Sequence, residues 1–144
     1  MKKLFVLTST AFSLLLLTSC GAGANGSFEV GTDPKGIGRF KKIELTSSLD
    51  EKMISAGETV YNIKCASCHK LNGEKLTGPG WQGVTIRRTP EWIMNFITNT
   101  DEMLDKDTAA QNMLGDCGVR MPNPSLSDDD ARATLEFMRR NDSK

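Results

Sequence analysis

Cys65, Cys68 and His69 stand within five positions of one another in the stretch YNIKCASCHKLNG, residues 61–73, and His69 is the only histidine in the chain. No other feature constrains the fold so tightly. A Cys-x-x-Cys-His run can contribute to a zinc site, work as a redox dithiol, or carry a haem through two thioethers with the histidine on iron. Each demands a different frame around it, so the rest of the sequence has to distinguish them.

The N-terminus sets the compartment. MKKLFVLTSTAFSLLLLTSCG opens with Lys2 and Lys3, runs apolar to Leu17 and ends in small residues at Cys20. That is the pattern of a secretory signal over residues 1–19, with an apolar stretch too short for a spanning helix. Leu17 to Cys20 followed by Gly21 resembles a bacterial lipobox. The expected processing is cleavage before Cys20 and lipidation of its thiol, which places the protein on the periplasmic side of a bacterial membrane. An ordinary signal cut nearby, leaving Cys20 free, is the plainer alternative.

Removing 19 of the 144 residues leaves 125, with 16 basic and 18 acidic side chains. That balance lacks the basic excess a nucleic-acid binder usually shows. Gly, Ala, Asn and Ser dominate after the anchor and cannot bury enough apolar surface to order themselves. Residues 20–47 therefore read as the lipidated cysteine, a flexible tether to about residue 32 and an irregular arm over 33–47. The domain is expected over 48–144, close to the smallest size that sustains one core. A large group bound inside it would matter for stability.

Four helical patterns follow, with no convincing strand. SSLDEKMISAGETVYNIK offers Ser48 as cap, Asp50 and Glu51 in the first turn, and Met53, Ile54, Val60 and Tyr61 as an apolar stripe. Gly57 lies four residues before Tyr61 on the same face, which implies close approach by another helix. TPEWIMNFITN has Thr89 as cap, Pro90 at the first helical position, and Trp92, Ile93, Phe96 and Ile97 inward. A weaker pattern covers Lys106 to Leu114. In LSDDDARATLEFMRRN, Ser127 caps, three aspartates suit the positive end, and Ala131, Thr134, Leu135 and Met138 face inward. The fold class is all-α.

This frame discriminates among the chemistries. A thioredoxin-like dithiol needs a βαβ setting that is missing from the pattern. Zinc could draw on Cys65, Cys68, His69 and Cys117, but tetrahedral ligation by the adjacent Cys68 and His69 is awkward. Covalent haem fits better.

Across residues 50 to 141 the chain resembles class I cytochromes c, in a lipoprotein-anchored form similar to small cytochromes of bacterial respiratory gene clusters. The family resemblance rests on GETVYNIKCASCH, on LTGPGWQGV, on VRMPNPSL and on the terminal helix ATLEFMRR, and the likeness to small respiratory-cluster cytochromes on RRTPEWIMNFITNTDEML. It implies a cytochrome c-like helical domain wrapped around one haem c, attached through Cys65 and Cys68. It also implies that the Pro79 carbonyl accepts a hydrogen bond from His69, fixing the ligand tautomer and raising its basicity. For the other face of iron, no second histidine exists. Met53, Met94 and Met138 fall within helical patterns, whereas Met121 stands in a loop stiffened by Pro122 and Pro124. Met121 is the expected ligand, with Met113 the alternative. A His69/Met121 pair leaves no open position, which makes the protein an electron carrier and not an enzyme. The alternative is a haem-based sensor or a peroxidase-like enzyme with a displaceable Met121 or Cys117.

A carrier of this kind works as a monomer between redox protein partners. A quinol-oxidising complex would donate, and a terminal oxidase, peroxidase or nitrogen-oxide reductase would accept. Cys117 reads as a small buried side chain in the methionine-bearing loop, and Trp81 and Trp92 as residues packed on the haem or in the core. Lys64, Lys70, Lys75 and Arg120 cluster in sequence around the motif and the methionine loop, while Asp101, Glu102, Asp105 and Asp107 lie apart from them. One reading is a positive docking face, and the other an ordinary solvated surface.

Overall fold

The computed structural model describes residues 33–144; the signal, Cys20 and the tether lie outside the described residues. Six α-helices occur among them: α1 Glu51–Val60, α2 Val84–Arg87, α3 Pro90–Thr98, α4 Thr100–Lys106, α5 Thr108–Cys117 and α6 Asp128–Asp142. A single π-helical turn, Tyr61–Cys65, extends α1.

The frame is the packing of α1 on α6. Both helices bury one stripe. On α6 the inward residues include Ala131, Thr134, Leu135 and Met138, as the periodicity predicts, together with Ala133, Glu136 and Phe137. On α1 the buried stripe is Ile54 and Gly57, continued by Tyr61, whereas Met53 is exposed and Val60 half-buried. The difference follows from Gly57, which sets the line of contact. A Cβ there would overlap the Ala133 carbonyl group and come within 2.9 Å of Phe137 Cβ. The α1 cap is Asp50, not Ser48: its carboxylate accepts from Met53 N at 3.0 Å, because the helix begins two residues later than the serine requires.

Glu136 lies in this interface with no exposed surface. Burial by itself would raise its pKa, but Arg132, Arg139 and the Asp50 backbone N–H all donate to the carboxylate and hold it below its usual value. The resulting stabilisation is present above the ordinary carboxylate range and is lost as pH falls through the lowered value.

Thr89 caps α3, accepting from Trp92 N at 3.1 Å, with Pro90 opening the helix. Every residue from Trp92 to Ile97 is buried. The weak pattern over Lys106–Leu114 resolves into two helices, because Asp107 is extended and its carboxylate caps α5 through Ala110 N at 2.9 Å. The same carboxylate accepts from Trp92 Nε1 at 3.3 Å, which ties the α4–α5 junction to α3. The arm has no helix, yet it is held at several points. Asn95 Nδ2 donates to the Lys35 and Phe40 carbonyls, its Oδ1 accepts from Phe40 N, and Ile43 N donates to Glu91.

Candidate functional site

The π-helical turn that ends α1 brings Cys65 inward and starts the motif. Backbone bonds from Cys68 N and His69 N to the Cys65 carbonyl, 3.0 and 2.9 Å, close the loop tightly over it. Tyr61 Oη donates to the His69 carbonyl at 2.7 Å, so the helix also pins the histidine backbone. Tyr61 stands between Trp81 and Phe137, with ring centroids 4.9 and 5.5 Å away. Motif, loop and α6 are thereby joined through one ring.

His69 Nδ1 lies 2.9 Å from the Pro79 carbonyl oxygen. A carbonyl only accepts, so Nδ1 carries the proton and Nε2 keeps its lone pair. Burial lowers the imidazole pKa, against the opposing effect of the Pro79 bond, and so favours the neutral ring. Gly78 is what lets the loop approach, since a Cβ there would overlap His69 Cε1 and come within 2.8 Å of Nδ1.

The histidine and both motif cysteines line a cavity of about 320 Å³. Its walls are mostly apolar: Trp81, Trp92, Ile93, Phe96, Ile97, Leu126 and Met138 among them. The charged groups on its lining are Lys64, Arg87 and Arg88, with no carboxylate. Arg87 donates to the Gln82 carbonyl, and Arg88 lies over the Trp92 ring at 4.7 Å. A slot with mostly apolar walls and cations but no carboxylate on its lining suits an apolar plate that carries anionic groups, and haem with its two propionates has that chemistry. Met121 and Met113 both line the slot and an adjacent, smaller cavity of about 100 Å³ that shares part of its wall. Met138 also reaches the slot, whereas Met94 and Met103 are buried in the core, and Met103 Sδ accepts from Ile37 N.

The competing chemistries find less support. Burial, reinforced by Cys68, pushes the Cys65 thiol up to about 11, so little thiolate is available for dithiol exchange at neutral pH. Among the described residues no group of three or more His, Cys, Asp or Glu side chains is arranged to hold a metal ion.

Two sequence expectations change. Cys117 is the last residue of α5 rather than part of the methionine loop; it is half-buried and lines the smaller cavity beside Cys68, His69, Met113 and Met121. The acids thought to lie away from Arg120 are its partners: Asp105 pairs with it at 2.9 Å and Asp101 at 3.6 Å. Sequence reasoning also missed the α5 wall and Arg87 and Arg88 on the slot. A Met113–Leu114 pair one turn after Ala109 and Ala110 was the available signal for the wall; the two arginines gave none.

The family model for cytochrome c matches residues 54–142. No curated protein matches. Among solved structures, cytochrome c from Rhodothermus marinus is similar, with 31% identity and a TM-score of 0.73 over 77% of this chain and 98% of that one. An engineered form, Rma TDE, is 30% identical with the same TM-score, over 78% of this chain and all of that one. Rma TDE bound to a carbene intermediate, 1-ethoxy-1-oxopropan-2-ylidene, has a TM-score of 0.71 at 31% identity over the same shares. With the helical frame, the motif in its cavity and a family match over more than half its length, this chain belongs to the cytochrome c family.

Proposed function

We propose that the protein is an electron carrier, with one haem c joined to Cys65 and Cys68 and its iron held by His69 and Met121. Bound there, haem would supply a one-electron iron couple. The chain's part would be to exclude water from the slot, orient the imidazole and supply the Met121 thioether to the iron. The observation that carries this reading is the His69–Pro79 bond inside an apolar cavity that Met121 also lines. It leaves Nε2 with a free lone pair in a cavity whose wall also supplies a methionine.

Met121→Ala is expected to abolish the weak far-red charge-transfer band of ferric His/Met haem, lower the reduction potential and admit carbon monoxide. If Met113→Ala does this and Met121→Ala does not, Met113 is the ligand. The alternative, a sensor or peroxidase-like enzyme, draws on Cys117 and Met113 beside the same cavity. Ready carbon monoxide binding by the wild-type protein would favour it.

The partners fitting a carrier are a quinol-oxidising complex as donor and a terminal oxidase or nitrogen-oxide reductase as acceptor. Lipidation at Cys20 would hold the domain at the periplasmic side of the membrane and raise its effective concentration near them. Cys20→Ser is expected to move the protein from the membrane to the soluble fraction with an unchanged spectrum. Retention of the variant in washed membranes would remove the anchor from this account.

A further inference from the structure

Arg120 and Asn123 flank Met121 in sequence, and both side chains reach back to the same helix. The Arg120 guanidinium pairs with Asp105 at 2.9 Å and with Asp101 at 3.6 Å, and it also donates to the Asp101 backbone carbonyl at 3.0 Å. Asn123 Nδ2 donates to the Asp101 carboxylate at 3.3 Å. Asp101 and Asp105 stand four residues apart on α4 and so share one face, which lets one planar guanidinium span them.

The methionine loop has few other polar ties. Among the described residues, 119–126 form no backbone–backbone hydrogen bond. Pro122 and Pro124 restrict torsions within the loop, and Ser125 N donates to Asn123 Oδ1 at 2.9 Å, but neither fastens it to the domain. The helix it reaches is well anchored. Thr100 and Met103 of α4 have no exposed surface, and the 33–47 arm packs on α4 through Ile37, whose N–H donates to Met103 Sδ and whose carbonyl accepts from Asn99. Single exposed ion pairs contribute little, but here two side chains on either side of Met121 converge on one turn of an anchored helix, and one acceptor is its backbone. We propose that Asp101 and Asp105 of α4 position the iron ligand, by holding the Met121 loop in place through Arg120 and Asn123. This rests on the reading of Met121 as a ligand. Thioethers keep haem in the slot whatever the loop does, whereas the methionine competes for iron only as well as its loop is held.

The test is displacement of the methionine by imidazole in the ferric, haem-loaded protein, followed by loss of the far-red band. Replacing Asp101 and Asp105 together with alanine is expected to tighten imidazole binding about fivefold, the scale of a few exposed charge-assisted contacts. Arg120→Ala is expected to tighten it similarly, and adding Asp105→Ala to Arg120→Ala to change little more, because both remove the same contact. The first variant removes two negative charges and the second a positive one, so a common direction reports the contact and not the net charge. Glu51→Ala, which removes the exposed pair with Arg140 across α1 and α6, is expected to leave the affinity unchanged. In a Met121→Ala background the Asp101 and Asp105 substitutions are expected to make no further difference, since the ligand they position is gone.

Imidazole affinities equal to wild type in the Asp101/Asp105 and Arg120 variants would overturn the proposal and leave these pairs as ordinary surface contacts. So would an equal gain in the Met121→Ala background, because the pairs would then gate access to the iron without positioning its ligand. A wild-type protein without the far-red band, or a Met121→Ala variant that binds imidazole no more tightly than wild type, defeats the ligand reading itself. That is seen before the α4 variants are compared.

Discussion

Replacing Cys65 and Cys68 together with alanine is expected to leave little folded protein. The two thioethers are the proposed means of keeping the slot filled. The slot of about 320 Å³ lies in the middle of the domain, walled by the motif, α3, α5 and α6. An empty apolar cavity costs roughly 24 cal/mol per Å³, so leaving all of it void and unrelaxed would cost roughly 8 kcal/mol. Domains of this size have a total stability of about 5–15 kcal/mol. Partial collapse and entry of water through the open ends would reduce the cost without removing it. Circular dichroism and the yield of soluble protein check the expectation. A haem-free double variant with native helix content and a cooperative thermal transition would contradict it.

The second large effect is expected where nothing touches the cofactor. Gly57→Ala adds one methyl group at the α1–α6 crossing, and that methyl would overlap the Ala133 carbonyl, which is backbone and cannot swing aside. The helices must separate or slide, opening the packing at Ile54, Tyr61 and Leu135. Overpacking of this kind costs about 1–3 kcal/mol and more against a rigid neighbour, so about 3 kcal/mol is expected here. The corresponding fall in Tm is roughly 10–20 °C. Ala56→Gly, on the exposed side of the same turn, is the control and should lose only about 1 kcal/mol of helix propensity. Equal losses for the two variants would show that the crossing does not depend on Gly57.

These two positions also show what was legible in the sequence and what was not. Gly57 announced a close helix contact through its spacing from Tyr61, because helical periodicity is a local property that survives into the fold. Thr89, Pro90 and Ser127 were readable for the same reason, as each acts on backbone within one turn. Ser48 failed as a cap because Asp50, two residues on, is as good a capping residue, and the carboxylate of Glu136 fixes its backbone from a distant helix. The division of α4 from α5 depended on Asp107 serving Trp92 as well as Ala110, a contact across 15 residues. Charge failed most clearly. Arg120 and its partners Asp101 and Asp105 belong to different segments, and only the folded path of α4 past the methionine loop unites them.

The site divides in the same way. The motif was legible from its own spacing, whereas the Pro79 bond to His69 was expected only through the resemblance to class I cytochromes c, and the structure adds that Gly78 is where the backbone comes close. The far wall of the slot was not, since Met113, Thr134 and Met138 are brought to it by the packing of α5 and α6. In this family the attachment chemistry is local, whereas the enclosure belongs to the whole domain.

The central claim is one covalently attached haem with His69 and Met121 on its iron. It is tested most directly by the absorption spectrum of the oxidised protein, followed by denaturation and extraction. The account predicts the weak far-red band of His/Met ligation and haem that stays with the denatured chain. Haem that extracts freely, or a spectrum without that band and with immediate carbon monoxide binding after reduction, would contradict it.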